Sequence, residues 1–490
     1  MREKRPNILL IMTDQQRFDS LGCYGADWID TPNLDRLSAE GVQWDRCYVN
    51  NPVCTPSRAS IWTGKELPGH GVYQLHDLLP SDERLFTERL QEAGYHTALF
   101  GKLHVSGRIF EAAGRHPHDG FDEYEWCIEA SIDLDSPYNG YGRWLREHHR
   151  DFYTRLKQDG RKVLHHSQEV HFTHWAAERA IDFIHRSDSA VPFFCCMSVF
   201  DPHNPYEDYP EEMTSRVHRE RMPPRLSDPR TDLPDGVLRE RHRSYLGDFD
   251  SFREEDIDAM RLGYFASVAL IDEEVGRVLA ALEKKGLRDN TLVIFVSDHG
   301  DMVGDHDLTV KGAYFYDACT RVPLLMRWPG RLKGGTRVAG VVQPHDIAAT
   351  ILSAAGLPLP ADSDGRDLLP AAGGGEAARE YAVCAYRNSG ICDSGEYWDP
   401  PIDATMITDG HFKLTLFHRE PEAGGRELYD LERDPTERVN LYRVKDPSAQ
   451  QVRLLGALAD WMVGQDAKHN GGRGGSAVPA ASQRLRNTLK

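Results

Sequence analysis

Near-continuous apolar runs of strand length recur along the chain, with helix-patterned segments between them. The runs are NILLIM (7–12), HTALF (96–100), PFFCCMSVF (192–200), TLVIFVS (291–297) and VPLLMRW (322–328). A strand that is apolar at every position must be covered on both faces, as in a parallel sheet sandwiched by helices. The segments between the runs supply that cover. Residues 260–286 place Leu262, Phe265, Ala269, Val275, Leu279 and Leu282 on roughly one helical face, with Gly286 near the stop. Residues 174–186 behave similarly. The pattern predicts an α/β fold built on a large, mostly parallel sheet with helices on both sides.

The pattern changes near residue 370. AAGGGEAARE (371–380) reads as a linker. Beyond it, MITDGHFKLTLFHREPEAGGRELYDL reads as Gly-linked strands and QQVRLLGALADWMVGQ as one closing helix. The expected organisation is a principal domain over 1–370 and a smaller α+β subdomain over 371–465, with a small antiparallel sheet and a helix. A flexible Gly-, Ser- and Ala-rich tail over 466–490 completes it, unless that tail serves as a docking arm for homo-oligomerisation. No internal repeat is present.

Charge and cysteine content narrow the function classes. The formal net charge is -18 with no basic stripe, which argues against nucleic acid as a partner. An anionic substrate would therefore need a local cluster of cations. No apolar stretch approaches the ~20 residues of a membrane span. Nine cysteines, an odd count without CxxC spacing, point to a reducing compartment. The start MREKRPNILLIMTD has only a short apolar run and no small-residue cleavage site, so a cytoplasmic location is expected.

In open α/β sheets, ligands bind beyond the carboxyl ends of the strands. Four of the runs end in polar residues: Asp14-Gln15-Gln16, Lys102-Leu103-His104, Asp201-Pro202-His203-Asn204 and Asp298-His299-Gly300-Asp301. Each alone reads as a cap, a turn or a solvated side chain. If the strands are parallel, all four share one edge, and carboxylates, imidazoles and an ammonium group meet there.

Residues 51–64, NPVCTPSRASIWTG, add a cysteine at the threshold of a helix. Pro56 and Ser57 suit its first turn. Cys54 then sits where free N–H groups and the helix dipole favour negative charge. A thiolate is nevertheless an odd neighbour for a carboxylate-rich site suited to a hard divalent cation.

CTPSR followed by Ala-Ser-x-x-Thr-Gly resembles the Cys-x-Pro-Ser-Arg signature of the formylglycine-dependent sulfatases, within the alkaline phosphatase superfamily. NILLIMTDQ, TPNLDRLSAEGV, GYHTALFGKLH, DPHNPY, VSDHGDMVGDH, Lys311 and ELYDLERDPTERVNL extend the resemblance over nearly the whole chain, in the family's order. It implies an alkaline phosphatase-like catalytic domain. It implies oxidation of Cys54 to formylglycine by a formylglycine-generating enzyme or an equivalent. Asp14, Gln15, Asp298, His299 and the modified Cys54 would hold one divalent metal. Arg58 would orient the modified side chain, and Lys102 and Lys311 would contact sulfate oxygens. His203 would protonate the departing alcohol, and His104 would take the proton from the second hydroxyl of the hydrated aldehyde as inorganic sulfate is expelled.

Two departures from the family pattern bear on specificity. Asp14-Gln15 stands where many sulfatases have Asp-Asp, and Asp298-His299 where they have Asp-Asn. An imidazole in place of an oxygen donor softens the site, so Mn2+ joins Ca2+ as a candidate. The same combination resembles phosphonate monoester hydrolases of the superfamily, which carry Tyr and Thr where this chain has Lys102 and His104. The Lys-x-His pair favours sulfate. The expected function is hydrolysis of a small-molecule aryl, alkyl or sugar sulfate. The alternatives are a phosphonate monoester hydrolase or phosphodiesterase, and a binding protein with unmodified Cys54. Outside this set, Asp346 reads as a helix cap. His70, Gln74, His76, Arg387 and Asn388 read first as ordinary surface residues, with lining the substrate pocket as the lesser alternative.

Overall fold

A computed structural model describes residues 5–160, 166–228, 230, 233–375, 379–389, 396–422 and 424–470. Among them, nine strands form the main sheet. They are β1 (Asn7–Thr13), β2 (Val42–Tyr48), β3 (His96–Gly101), β4 (Glu123–Trp126), β5 (Phe193–Ser198), β6 (Thr291–Ser297), β7 (Arg321–Val322), β8 (Leu324–Arg327) and β9 (Thr336–Val342). Their spatial order is β4-β3-β5-β1-β6-β8-β2-β7, with β9 beside β2. The five strands from β4 to β6 are mutually parallel, and Leu10 at the centre stands opposite Cys196 and Ile294.

The sheet is covered on both faces, as the unbroken apolar runs require. Alternate residues of β1 divide between two cores. Ile8, Leu10 and Met12 pack with Ala59, Ile61 and Trp62 of one helix (Cys54–Thr63) and Ile347 and Ile351 of another (Asp346–Ala354). Leu9 and Ile11 pack with Trp175 and Phe183 of Phe172–Arg186 and with Phe265, Leu279 and Leu282 of Glu254–Lys284. The long helix begins six residues before its apolar stripe. Its exposed first turn is acidic, and Arg253 N–H donates to Asp256 Oδ2 at 3.0 Å.

The VPLLMRW run departs from the parallel expectation. Pro323, which has no N–H to give to a ladder, separates β7 from β8. β8 then runs antiparallel to β6 and to β2. Its far end therefore lies away from the edge reached by β1, β3, β5 and β6. The strands EYEW (β4) and TRVAGVV (β9) carry no continuous apolar run because their side chains are only partly buried, and VQWDRCY (β2), although mostly buried, is interrupted by Gln43, Asp45 and Arg46.

A second sheet has the antiparallel order β10 (Ala382–Arg387), β11 (Asp403–Thr408), β12 (Phe412–Phe417) and β13 (Arg426–Asp430). Gly410, at φ 86°, supplies the left-handed residue of the turn between β11 and β12. Helix Ala449–Asn470 covers one face, packing Leu454 and Leu458 on Val383, Ile407, Leu414 and Leu428. The other face, with Cys384, Tyr386 and Met406, merges with the main core. That helix runs through the first five residues of the stretch expected as a tail. Residues 471–490 lie outside the described residues, as do 376–378 of the expected linker.

Candidate active site

The parallel strands deliver their polar ends to one place. Asp14 follows β1, Lys102 follows β3, His203 lies beyond β5, and Asp298 and His299 follow β6. The helix Cys54–Thr63 points its first residue at the same spot. Every residue of this helix is buried. Gly64 stops it at φ 71°, donating its N–H to Ser60 O at 2.9 Å. No side chain caps its N-terminus, so its leading N–H groups are open to an anion beside Cys54.

Arg58, one turn into that helix, ties the strand ends together. Its Nε donates to Asp298 Oδ2 at 2.6 Å, its Nη1 to Lys102 O at 2.9 Å and to Ser198 Oγ at 3.0 Å, and its Nη2 approaches Asp14 Oδ2 at 3.4 Å. Lys102 Nζ lies 2.5 Å from the same Asp14 oxygen. Burial alone would raise the Asp14 pKa, but Lys102, His203 and Arg58 hold it well below the usual carboxylate range. The Cys54 thiol is lowered in the same way: burial pushes it up, and Lys102 and Lys311 outweigh burial.

Asp14, Cys54, Asp298 and His299 bring one donor atom each within 4.8 Å of one another. Two of their buried atoms, Asp14 Oδ1 and His299 Nε2, have no hydrogen-bond partner among the described residues. They lie 3.7 Å apart. His299 Nδ1 faces Gly300 O at 2.9 Å, so Nδ1 carries the proton and Nε2 a lone pair. Orphaned buried acceptors are costly unless something positive satisfies them. This donor set of carboxylate oxygens, an imidazole nitrogen and the Cys54 position fits a divalent cation.

Gln15, at φ 67°, is spoken for by protein groups. Its Oε1 accepts from Lys311 Nζ at 2.7 Å, and its Nε2 donates to Asp301 Oδ2 at 2.5 Å. Tyr206 Oη donates to the same Asp301 oxygen at 2.6 Å.

The two histidines are held in defined tautomers. Thr55 Oγ1 donates its single proton to Leu75 O at 2.8 Å, so at its 3.0 Å contact with His104 Nε2 it accepts. The proton of His104 is thus on Nε2, and its buried Nδ1 is a free base without a hydrogen-bond partner among the described residues. Burial, then the Lys102 and Arg58 charges, hold the His104 pKa well below its ordinary value. His203 Nδ1 donates to Asn204 O at 2.7 Å, and its Nε2 accepts from Lys311 Nζ at 2.5 Å. Burial and Lys311 likewise depress His203.

Cys54, Lys102, His104, His203 and Lys311 line one pocket together with Leu75, Arg108, Ile128, Glu129, Phe200, Glu240 and Tyr245, whereas Asp14, Gln15, Arg58, Asp298 and His299 are not among its lining residues. His70, Gln74, His76, Arg387 and Asn388 are not among its lining residues. His70 is buried against Ser60 Oγ at 2.9 Å, and Gln74 donates to Arg387 O at 3.3 Å. Asp346 does not cap its helix either. It is the first helical residue, accepts from Gln343 and Arg366 N–H groups, and pairs with Arg379.

Several residues that build the site carried no signal of their own in the sequence. Glu111 accepts from the N–H groups of His104, Val105 and Ser106 at 2.7–3.2 Å and from Trp126 Nε1 at 2.8 Å, which fixes the Lys102–His104 loop. Ser198, Thr55 and Glu240 are the others. Asp301 was visible in the polar run that ends β6.

The family model described as Sulfatase matches residues 6–357, and the model described as N-sulphoglucosamine sulphohydrolase, C-terminal, matches 304–462. An arylsulfatase of Clostridium perfringens is 31% identical over 96% of this chain and 96% of its own. An N-acetylglucosamine-6-O-sulfatase of Bacteroides thetaiotaomicron is 28% identical over 93% of this chain and 86% of its own. In fold, the chain is similar to the phosphonate monoester hydrolase SpPMH from Silicibacter pomeroyi, with a TM-score of 0.78 at 24% identity, over 95% of this chain and 96% of that one. With the family model spanning most of the chain and the polar strand ends assembled around Cys54, the protein belongs to the sulfatase family and is a sulfuric ester hydrolase.

Proposed function

We propose that Cys54 acts as formylglycine and that the surrounding residues form a one-metal sulfate ester hydrolase site. The observation that carries this reading is the convergence of Asp14, Asp298 and His299 on Cys54, with Asp14 Oδ1 and His299 Nε2 buried and unpartnered among the described residues. Those three side chains and the modified Cys54 would hold a divalent cation, Ca2+ or Mn2+, with Gln15 joining by exchanging Lys311 for the ion. Cation and hydrated aldehyde together would supply an activated oxygen nucleophile and a second hydroxyl whose deprotonation expels sulfate and restores the aldehyde.

The chain's own residues do the rest. Lys102, Lys311 and the open helix N-terminus neutralise charge on the sulfate oxygens, each such contact lowering the barrier by about 3 kcal/mol. Arg58 holds Asp298 and Asp14 in place. His104, with a free Nδ1 and a depressed pKa, is neutral at pH 7 and takes a proton. His203 Nε2 holds no proton of its own in the free protein. Lys311 Nζ, which donates to Nε2 in the free protein, turns to the sulfate oxygens when substrate binds and leaves Nε2 free to take up the proton that it delivers to the leaving oxygen. A bound dianionic transition state raises both pKa values and favours that state.

The substrate is a small-molecule sulfate ester, supported by the names of the curated relatives. Maturation calls for a formylglycine-generating enzyme or an equivalent. A cytoplasmic location is supported by the eight described cysteines, all of them free thiols. Among the described residues, no helix is long and apolar enough to cross a membrane. Residues 371–465 are proposed as the subdomain that backs the site.

The test is peptide mass analysis of Cys54 in protein from its own host, with kcat/KM measured for matched aryl sulfate and phenyl phosphonate esters. Formylglycine at 54, a preference for sulfate and loss of turnover in Cys54→Ala are expected. A plain thiol with activity retained in Cys54→Ala refutes the mechanism. A large preference for the phosphonate refutes the substrate.

A further inference from the structure

One acidic side chain in the pocket has no part in the chemistry above. Glu240 belongs to helix Asp235–His242 and is 4% exposed. It lines the same pocket as Cys54, Lys102 and His203. Its Oε1 accepts from Ala313 N–H at 2.7 Å and from Trp398 Nε1 at 3.3 Å, while its Oε2 makes no hydrogen bond or ion pair among the described residues. The carboxyl is pressed against Gly312, immediately after Lys311. A Cβ on that glycine would come within 2.6 Å of Oε2. A glycine thus makes room for this acid beside the sulfate-binding lysine.

One oxygen of this carboxyl is pinned by two donors, which leaves the other for a group bound in the pocket. Burial lifts the carboxyl's pKa to about 8. At neutral pH the acid is therefore largely protonated. Because Oε1 is occupied by two N–H donors, the proton is on Oε2. An O–H group at this position both donates to and accepts from a hydroxyl. A cationic leaving group suits the place poorly, since Lys102, Arg108 and Lys311 line the same pocket. The remaining walls combine the apolar Leu75, Ile128 and Phe200 with the polar Glu129, Asn204 and Tyr245. An enclosure of apolar surface with fixed polar groups selects orientation as well as size.

We infer that Glu240 is a recognition residue for the alcohol half of the substrate, its Oε2 engaging a free hydroxyl of a polyhydroxylated leaving group, so that the enzyme takes sugar sulfates in preference to simple aryl or alkyl sulfates. This rests on the sulfatase reading of the same site and adds the substrate class to it.

Glu240→Ala and Glu240→Gln are compared with the parent enzyme on glucose 6-sulfate and on 4-nitrophenyl sulfate, which lacks hydroxyls. A site built to bond a hydroxyl discriminates strongly against its loss. The expected result is a fall of about ten- to hundredfold in the ratio of kcat/KM for the sugar ester to that for the aryl ester in Glu240→Ala, with most of the ratio kept in Glu240→Gln. An unchanged ratio in Glu240→Ala overturns the inference, and so does a parent enzyme that prefers choline sulfate to glucose 6-sulfate. Binding of glucose 6-sulfate to Cys54→Ala, with and without Glu240→Ala, is measured by calorimetry in parallel. Weaker binding of at least about tenfold in the double variant supports the inference whatever the turnover, and equal binding overturns it. A parent enzyme that hydrolyses phenyl phosphonate but neither sulfate would refute the sulfatase reading separately.

Discussion

Arg58 Nε donates to Asp298 Oδ2 at 2.6 Å, and neither side chain has any exposure to solvent. The pair joins the helix that begins at Cys54 to the end of β6. The other oxygen of Asp298 accepts from the N–H groups of Gln15 at 3.0 Å and His299 at 2.8 Å. Asp298 is thus fixed in orientation by protein donors and keeps acceptor capacity for an ion. Removing one member of a buried pair leaves the other charge uncompensated. Arg58→Met is expected to destabilise the fold by about 3–5 kcal/mol. It should also lower metal retention. Thermal denaturation and metal analysis after gel filtration check both, and an unchanged melting temperature would contradict the anchoring role.

Lys102 reaches Asp14 Oδ2 at 2.5 Å and lies among the residues lining the pocket. Lys102→Ala is expected to lower kcat/KM by about 10²–10³-fold, the usual loss for one charge-stabilising donor. The melting temperature should move much less than in Arg58→Met. Steady-state kinetics on one aryl sulfate decides the point, and a silent substitution would place the sulfate elsewhere.

His203 receives a hydrogen bond from Lys311 and stacks on Phe200 with ring centroids 4.4 Å apart. If His203 supplies the proton to the leaving oxygen, the loss in His203→Ala depends on how badly the substrate needs protonation. Alkyl and sugar sulfates should suffer about 10²–10⁴-fold, and a nitrophenyl ester much less. A series of aryl sulfates with different leaving-group pKa values would show a steeper dependence in the variant. Parallel lines for variant and parent would remove His203 from that role.

Glu111 accepts four hydrogen bonds and pairs with no cation among the described residues, so its charge is spent on the backbone of residues 104–106 and on Trp126. An amide there would set its own donors against those N–H groups. Glu111→Gln is expected to cost about 1–3 kcal/mol of stability and to lower kcat rather than KM, because the His104 ring loses its anchorage. The split between kcat and KM, read beside the melting temperature, separates positioning from simple destabilisation.

His345 gives the fold a defined weakness toward acid. It is buried, its Nδ1 donates to Asn50 Oδ1 at 3.0 Å and its Nε2 accepts from Arg379. Burial and then the Arg379 charge lower its pKa to about 4. The unfolded chain takes up a proton near the ordinary value of about 6.5, while the folded one does not. Stability therefore falls as pH drops from about 6.5 toward 4, by about 3 kcal/mol from this residue. Denaturant unfolding at pH 7 and pH 5 should show a shallower dependence in His345→Gln, whatever that variant's stability at pH 7. Equal slopes would assign the acid sensitivity to other groups.

The parallel centre of the sheet and the polar ends of β1, β3, β5 and β6 were legible because strands buried on both faces exclude polar residues except at their tips. The CTPSR stretch was legible for a related reason, since its order of helix-starting residues leaves little freedom in where Cys54 points. Partly buried strands such as β4 and β9 were not, because half-exposed positions accept either polarity.

Patterning along the chain was therefore enough for the layered architecture and the edge at which the reactive groups meet, and the resemblance carried by CTPSR singled out Cys54. Folding in three dimensions was needed to show that β8 turns back against β6, that Lys311 hydrogen-bonds His203, that Glu111 anchors the His104 backbone and that Glu240 reaches the pocket. Those contacts join residues separated by loops without periodicity, or turn on which lone pair of one ring a neighbour has left free. No local rule of hydropathy encodes such geometry; it is set by the packing of the whole chain.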